Sequence, residues 1–118
     1  MAKGYWIVRV DVHNEEGYKA YAAASPGICK KFGGRYLVRN GRFTDMEGQS
    51  RSRNVVVEFP DYETALACYR SVEYQQNIKV RQPHSSADLI VIEGFDGRPE
   101  PAGPLSYSSI RNCTTGST

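Results

Sequence analysis

The sequence predicts an α+β domain, a single antiparallel sheet with helices on one side, from three observations. Residues 5–12 (YWIVRVDV) and 54–59 (NVVVEF) are rich in β-branched and aromatic residues and alternate as strands do. Each is followed by apolar residues at helical spacing. Two shorter strand-like runs, 35–39 (RYLVR) and 88–93 (DLIVIE), come after those helices, so the order reads β-α-β-β-α-β.

Each element has a local cause. Asn14 offers an N-cap to the first helix, and Glu15 and Glu16 follow where the helix dipole favours acids. Tyr18, Tyr21, Ala22 and Cys29 share one helical face, which Phe32 continues. Pro26 interrupts the stripe and is expected to kink the helix, or to restart it with Ser25 as cap. Gly33-Gly34 ends it, because glycine enters the left-handed region without a Cβ clash. Asn40-Gly41 is a two-residue hairpin signal, with 42–47 as a short return strand and 48–53 as an exposed loop. The glycine density of residues 32–43 (FGGRYLVRNGRF) invites a phosphate-loop reading. A phosphate loop, however, lies between a strand and a following helix, and here the order is helix, glycines, strand. These glycines are backbone punctuation.

Beyond 54–59, Pro60-Asp61 announces a helix with Ala65, Leu66 and Tyr69 in its apolar stripe. Ser71 reads as a second cap, starting a further helical piece through Tyr74 and Ile78. The last strand closes at Gly94. From Arg98 onward Pro, Gly, Ser and Thr dominate and periodicity is lost, which divides the chain into a domain (1–97) and a tail (98–118). The element order is that of a ferredoxin-like fold.

Composition narrows the function classes. At 118 residues, one domain buries roughly two thirds of its unfolded surface. A net charge of +2 is too small for general nucleic-acid or membrane binding. No apolar run has signal-peptide or transmembrane length. The widely spaced Cys29, Cys68 and Cys113 match neither a disulfide framework nor a CxxC pair, so reduced thiols and a cytoplasmic home are expected. The sequon at Asn112 then reads as chance. No His, Cys, Asp and Glu cluster has metal-ligand spacing, and no metal or cofactor is expected. His13 and His84 read as solvated loop histidines, and Cys68 as a small buried filler.

The succession YWIVRVDV, EEGYKAY, GGRYLVRNGRF, EG, RNVVVEFPDYETALACYRSVEY and IVIEG resembles the uncharacterised bacterial family called domain of unknown function 1330. The likeness spans about residues 3 to 97. It implies membership of the dimeric α/β-barrel superfamily, in which two ferredoxin-like subunits press their sheets together, and hence a homodimer. It implies no reaction. The family's Ser-Pro-Glu-Tyr run appears here as Ser71-Val72-Glu73-Tyr74, and the tail beyond Arg98 has no counterpart.

A two-residue period assigns Trp6, Val8, Val10, Tyr36, Val38, Val55, Val57, Phe59, Ile90 and Ile92 to a helix-covered face. The other face takes Tyr5, Ile7, Arg9, Asp11, Arg35, Leu37, Arg39, Asn54, Val56, Glu58, Leu89, Val91 and Glu93. That second face is too apolar for open water and too charged for a dry core, so it suits a partner, a second copy above all. Arg9, Arg35 and Arg39 against Asp11, Glu58 and Glu93 read first as register-setting ion pairs. A sharper reading lets the arginines receive a carboxylate- or enolate-like ligand, with Glu58 beside them. Tyr18, Tyr21, Tyr69 and Tyr74 are candidates to line a cavity between helices and sheet. Residues 30–53 carry a local excess of basic residues, which acids from elsewhere in the chain are expected to neutralise.

Two functions follow as expectations. One is a small barrel that binds or transforms an organic molecule without cofactor, as the resemblance to a superfamily containing cofactor-independent oxygenases, isomerases and ligand-sensing domains implies. The other is a non-enzymatic dimerisation or interaction module. An RNA-binding sheet is disfavoured, since residues 54–59 place Asn54, Val56 and Glu58 where stacking aromatics would be needed.

Overall fold

A computed structural model describes residues 2–95; the tail, Cys113 and the sequon lie outside the described residues. The chain runs β1 (Gly4–Val12), α1 (Glu15–Lys31), β2 (Arg35–Arg39), β3 (Arg53–Phe59), α2 (Tyr62–Arg70), α3 (Val72–Arg81), a 3-10 turn (Gln82–His84) and β4 (Ser85–Glu93). The strands form one sheet in the order β2-β3-β1-β4, every neighbouring pair antiparallel. This is the ferredoxin-like arrangement that the element order predicts.

All three helices cover one face. Trp6, Val8, Val10, Val57 and Phe59 from the sheet pack against Tyr18, Tyr21, Cys29, Ala65, Cys68, Tyr74 and Ile78 from the helices. Trp6 sits at the centre, its ring centroid 4.7 Å from Tyr74 and 5.1 Å from Phe59. Its indole N–H donates to the Ala65 carbonyl at 3.0 Å, so the one polar atom of the ring is satisfied inside the core.

The helix boundaries follow their caps. Asn14 Oδ1 accepts from Gly17 N at 3.1 Å. Gly33, at φ +75°, closes the other end of α1. Ser71 does double duty: its hydroxyl donates to the Cys68 carbonyl at the end of α2 and accepts from Tyr74 N at the start of α3. Pro26 neither breaks nor restarts α1, which runs unbroken across it. Ser25 is therefore not a cap; its hydroxyl donates back to the Tyr21 carbonyl at 3.0 Å.

Three strand-level expectations are corrected. First, Asn40 takes φ +58° but Gly41 does not have positive φ, so no two-residue hairpin forms. Residues 40–52 make an open loop, 42–47 form no return strand, and β2 pairs directly with β3. Arg51 ties that loop across the sheet end, bonding Asp11 at 2.8 Å and Asp88 at 2.9 Å.

Second, β4 is phased opposite to expectation. Trp6 pairs with Val91 and Val8 with Leu89, so Leu89 and Val91 face the helices. Ile90 and Ile92 stand on the open face, 53% and 46% exposed. Third, β2 carries a bulge. Tyr36 pairs with Val57 but Val38 with Val56, leaving Leu37 as the extra residue. Past the bulge the faces exchange, so Val38 turns to the open side and Arg39, opposite Val55, to the helix side.

Candidate ligand-binding cleft

Between α1 and the β2–β3 side of the sheet lies a cavity of about 40 Å³. Its floor is Trp6, Val8, Val55 and Val57 from the sheet. Its helix wall is Tyr18, Tyr21, Ala22 and Ser25. Tyr36, Arg39 and Arg53 complete it from β2 and β3. No carboxylate is among these lining residues. Two guanidinium groups and three phenols thus meet over an apolar floor.

Each arginine is braced by an aromatic ring. Arg39 lies 5.3 Å from the Tyr36 ring centroid and Arg53 5.2 Å from that of Tyr18. Arg39 also donates from Nη2 to the Ala22 carbonyl at 3.1 Å. That carbonyl is available because residue 26, its ordinary helical donor, is proline and has no N–H. Arg53 approaches the exposed Glu15 at 3.9 Å. Burial pushes the Tyr18 hydroxyl up to about 12 and holds that of Tyr36 well above the usual phenol range, so both stay protonated donors at neutral pH.

Tyr21 of the helix wall also belongs to a second polar cluster. The Tyr21 and Tyr74 hydroxyls are hydrogen-bonded to each other. The guanidinium of Arg81, from the end of α3, lies 5.3 Å from the Tyr21 ring centroid. Asn77 donates to Ser25 Oγ at 3.1 Å and to the Tyr21 carbonyl at 3.4 Å, fixing α3 to the same turn of α1.

The structure divides the residues named from sequence. Arg39 and Tyr18 come together at the cavity. Arg35, Glu58 and Arg9 do not; they lie on the opposite face of the sheet. There Arg35 Nε donates to Glu58 at 3.0 Å and Tyr5 adds a hydrogen bond at 3.1 Å. The bond from Arg35 holds the Glu58 carboxyl below its usual range, as in a structural ion pair. Tyr69 is half-buried against the core, edge-on to Trp6, and lines no part of the cavity. Tyr36, Arg53 and Ser25 were missed. Tyr36 and Arg53 pair across the sheet with the buried Val57 and Val10, so strand register was the signal that would have found them.

The basic excess of residues 30–53 is matched in part. Lys31 pairs with Glu73, Arg35 with Glu58, and Arg51 with Asp11 and Asp88. Cys68 is fully buried, and its contact with Cys29 together with burial pushes the thiol up, so it is a core filler and not a nucleophile.

Comparison with known proteins places this architecture. The family model described as Domain of unknown function (DUF1330) matches residues 3–95. The chain belongs to the DUF1330 family. No curated protein matches it by sequence. Among solved structures it is similar to a protein of unknown function from Rhodopseudomonas palustris (TM-score 0.63, 16% identity, 81% of this chain and 85% of that one). It is also similar to SnoaB, a cofactor-independent oxygenase from Streptomyces nogalater (TM-score 0.59, 10% identity, 85% and 100%). A third neighbour is a protein of unknown function, possible oxidoreductase, from Bacteroides thetaiotaomicron (TM-score 0.50, 17% identity, 78% and 97%). At these identities the DUF1330 chain shares their fold, and no chemistry is carried across. Among its described residues, no helix is long and apolar enough to cross a membrane.

Proposed function

We propose that this DUF1330 protein binds a small organic anion, of the carboxylate or enolate class, in the cleft between α1 and the β2–β3 side of the sheet. One observation carries the reading: Arg39 and Arg53 line the cavity and no acid does. A planar guanidinium pair presents several parallel N–H donors, which suits a planar oxyanion better than a neutral ligand. The volume, about 40 Å³, fits a carboxylate or enolate head group, so the rest of the ligand extends past the mouth. A fold shared with a cofactor-independent oxygenase is compatible with binding that needs no cofactor. A cytoplasmic setting accords with the free thiols of Cys29 and Cys68.

The test uses a charged and a neutral ligand of one shape. Benzoate and benzamide are titrated against the protein with amide chemical shifts as readout. Benzoate is expected to bind at least about tenfold more tightly, and Arg39→Met to remove most of that preference. Equal binding of the two, or a benzoate affinity indifferent to Arg39→Met, would overturn the proposal.

A second reading concerns assembly. The open face carries Ile7, Val38, Val56, Ile90 and Ile92 between the Arg35–Glu58–Tyr5 cluster and the Arg51–Asp11–Asp88 cluster. We infer that a second copy covers this band, burying the aliphatic side chains and reading register through the flanking charges.

A further inference from the structure

The anion-binding reading makes no use of the Tyr21–Tyr74–Arg81 cluster, and the cluster is costly to keep. Arg81 is only 7% exposed, and its Nε finds no hydrogen-bond partner among the described residues. An arginine this buried is rare unless paired with a carboxylate, and the groups beside it are instead phenols. Tyr74 is wholly buried, while Tyr21 reaches the cavity wall. The two hydroxyls contact each other, and either can be the donor.

We infer that Tyr21 is the proton-transfer hydroxyl of the cleft, with Tyr74 and Arg81 positioned to stabilise its anion. The inference rests on the proposed oxyanion reading and extends it from binding to acid–base work. An uncompensated buried cation is most useful next to a group that becomes negative, and Tyr21 is the phenol lying under it. The two phenols are not equivalent. Burial holds Tyr74 far above the ordinary phenol range, so it keeps its proton and serves as donor. Tyr21 is the one of the two that lines the cavity, so it is the phenol a bound ligand can reach.

The step balances with solvent water as the only co-reactant. Tyr21, as the phenolate that the Tyr74 hydroxyl and the Arg81 guanidinium stabilise, takes a proton from C3 of a bound 1,3-dicarbonyl compound: the C–H bond breaks, the tyrosine O–H bond forms, and the electron pair passes to the enolate oxygens. The tyrosine hydroxyl then exchanges its proton for a solvent deuteron. In the reverse direction Tyr21 returns that deuteron to C3: the O–D bond breaks, the C–D bond forms, and the phenolate is restored. The ligand class is therefore a small enolisable carbonyl compound, its oxyanion held by Arg39 and Arg53.

The probe is 2,4-pentanedione in deuterium oxide, with loss of its C3 proton signal followed by NMR and binding followed by protein chemical shifts. Wild-type protein is expected to bind it and to accelerate exchange. Tyr21→Phe should bind within about threefold of wild type and lose about 10²-fold in exchange rate. Tyr74→Phe, which removes one hydroxyl and keeps the ring, should lower kcat for exchange and leave KM unchanged. A merely structural role would move both or neither. Arg81→Lys should retain part of the rate and Arg81→Met none. Binding with no acceleration, or Tyr21→Phe exchanging as fast as wild type, overturns this inference and leaves the binding proposal standing. Absence of binding by both 2,4-pentanedione and benzoate overturns the binding proposal itself. If Tyr21→Phe fails to fold, unchanged kcat in Tyr74→Phe overturns the inference in its place.

Discussion

Pro26 removes one backbone donor from α1, and the carbonyl it strands, that of Ala22, is the one Arg39 occupies. A helix-interior proline normally costs about 3 kcal/mol, so its presence here is offset by what replaces the missing bond. Arg39 is the replacement, and the same contact aims its guanidinium along the cavity. Pro26→Ala would return an N–H to Ala22 and compete with Arg39 for its carbonyl. The expected outcome is a higher thermal midpoint and a weaker affinity for benzoate, by about two- to tenfold for one hydrogen bond lost from the anchor. Calorimetric titration of the variant decides it. Unchanged affinity would mean that Arg39 is held by Tyr36 alone.

Among the elements, the junction of α2 and α3 is where a proline would fit without cost. Val72 occupies the first position of α3, where proline's missing N–H costs nothing and its fixed φ is already helical. Ser71 before it is extended, at φ −64° and ψ 151°, the conformation a following proline requires. The valine side chain is 71% exposed, so no packing is lost by exchange. Val72→Pro should therefore stabilise the fold by about 0.4–1 kcal/mol, chiefly by restricting the unfolded chain. Urea denaturation measures this directly, and a fall in the midpoint would show that the junction is not at rest in the geometry described. The β2 bulge is the other telling element. One extra residue, Leu37, sends Arg39 through the sheet to the helix side, so a local irregularity supplies half of the cationic pair at the cleft.

Two predictions concern the molecule as a whole. Several carboxyls are held below their ordinary values: Asp11 by the Ser52 N–H and then Arg51, Glu58 by Arg35, Asp61 by Thr64 and Glu73 by Lys31. A depressed native pKa means the folded state binds fewer protons than the unfolded one. Stability from these groups is thus complete above the ordinary values of 3.8 and 4.5 and drains away as pH falls below them. The thermal midpoint should hold steady from pH 7 to about 5 and decline below about 4.5, less steeply at high salt. A flat profile to pH 3 would show that these bonds do not persist in solution. Assembly is tested at Ile90, in the apolar band of the open face. Ile90→Asp places a charge where a second copy would sit, and sedimentation should show wild-type dimers at tens of micromolar becoming monomers. A wild-type monomer at that concentration would end the dimer proposal.

The amino-acid sequence by itself determined the type and order of the main elements, though not the strand expected at 42–47, which is absent. Caps, β-branched runs and helical stripes are local signals, and Asn14, Asp61, Ser71 and Gly33 act within a few residues of themselves. It also marked Arg39 and Tyr18, but with Arg39 assigned to the wrong face and joined to Arg9, Arg35 and Glu58, which lie on the far side of the sheet. Alternation phased β1 and β3 correctly, and tertiary structure decided which side β4 and the end of β2 present. Leu89, Ile90, Val91 and Ile92 are all apolar, so alternation cannot phase β4; pairing with Trp6 and Val8 does. The bulge at Leu37 is invisible in composition and exists only because β2 must register against β3. The cleft depends on both kinds of information, since residue types set its chemistry while long-range pairing brings Tyr18, Arg39 and Arg53 around one small cavity.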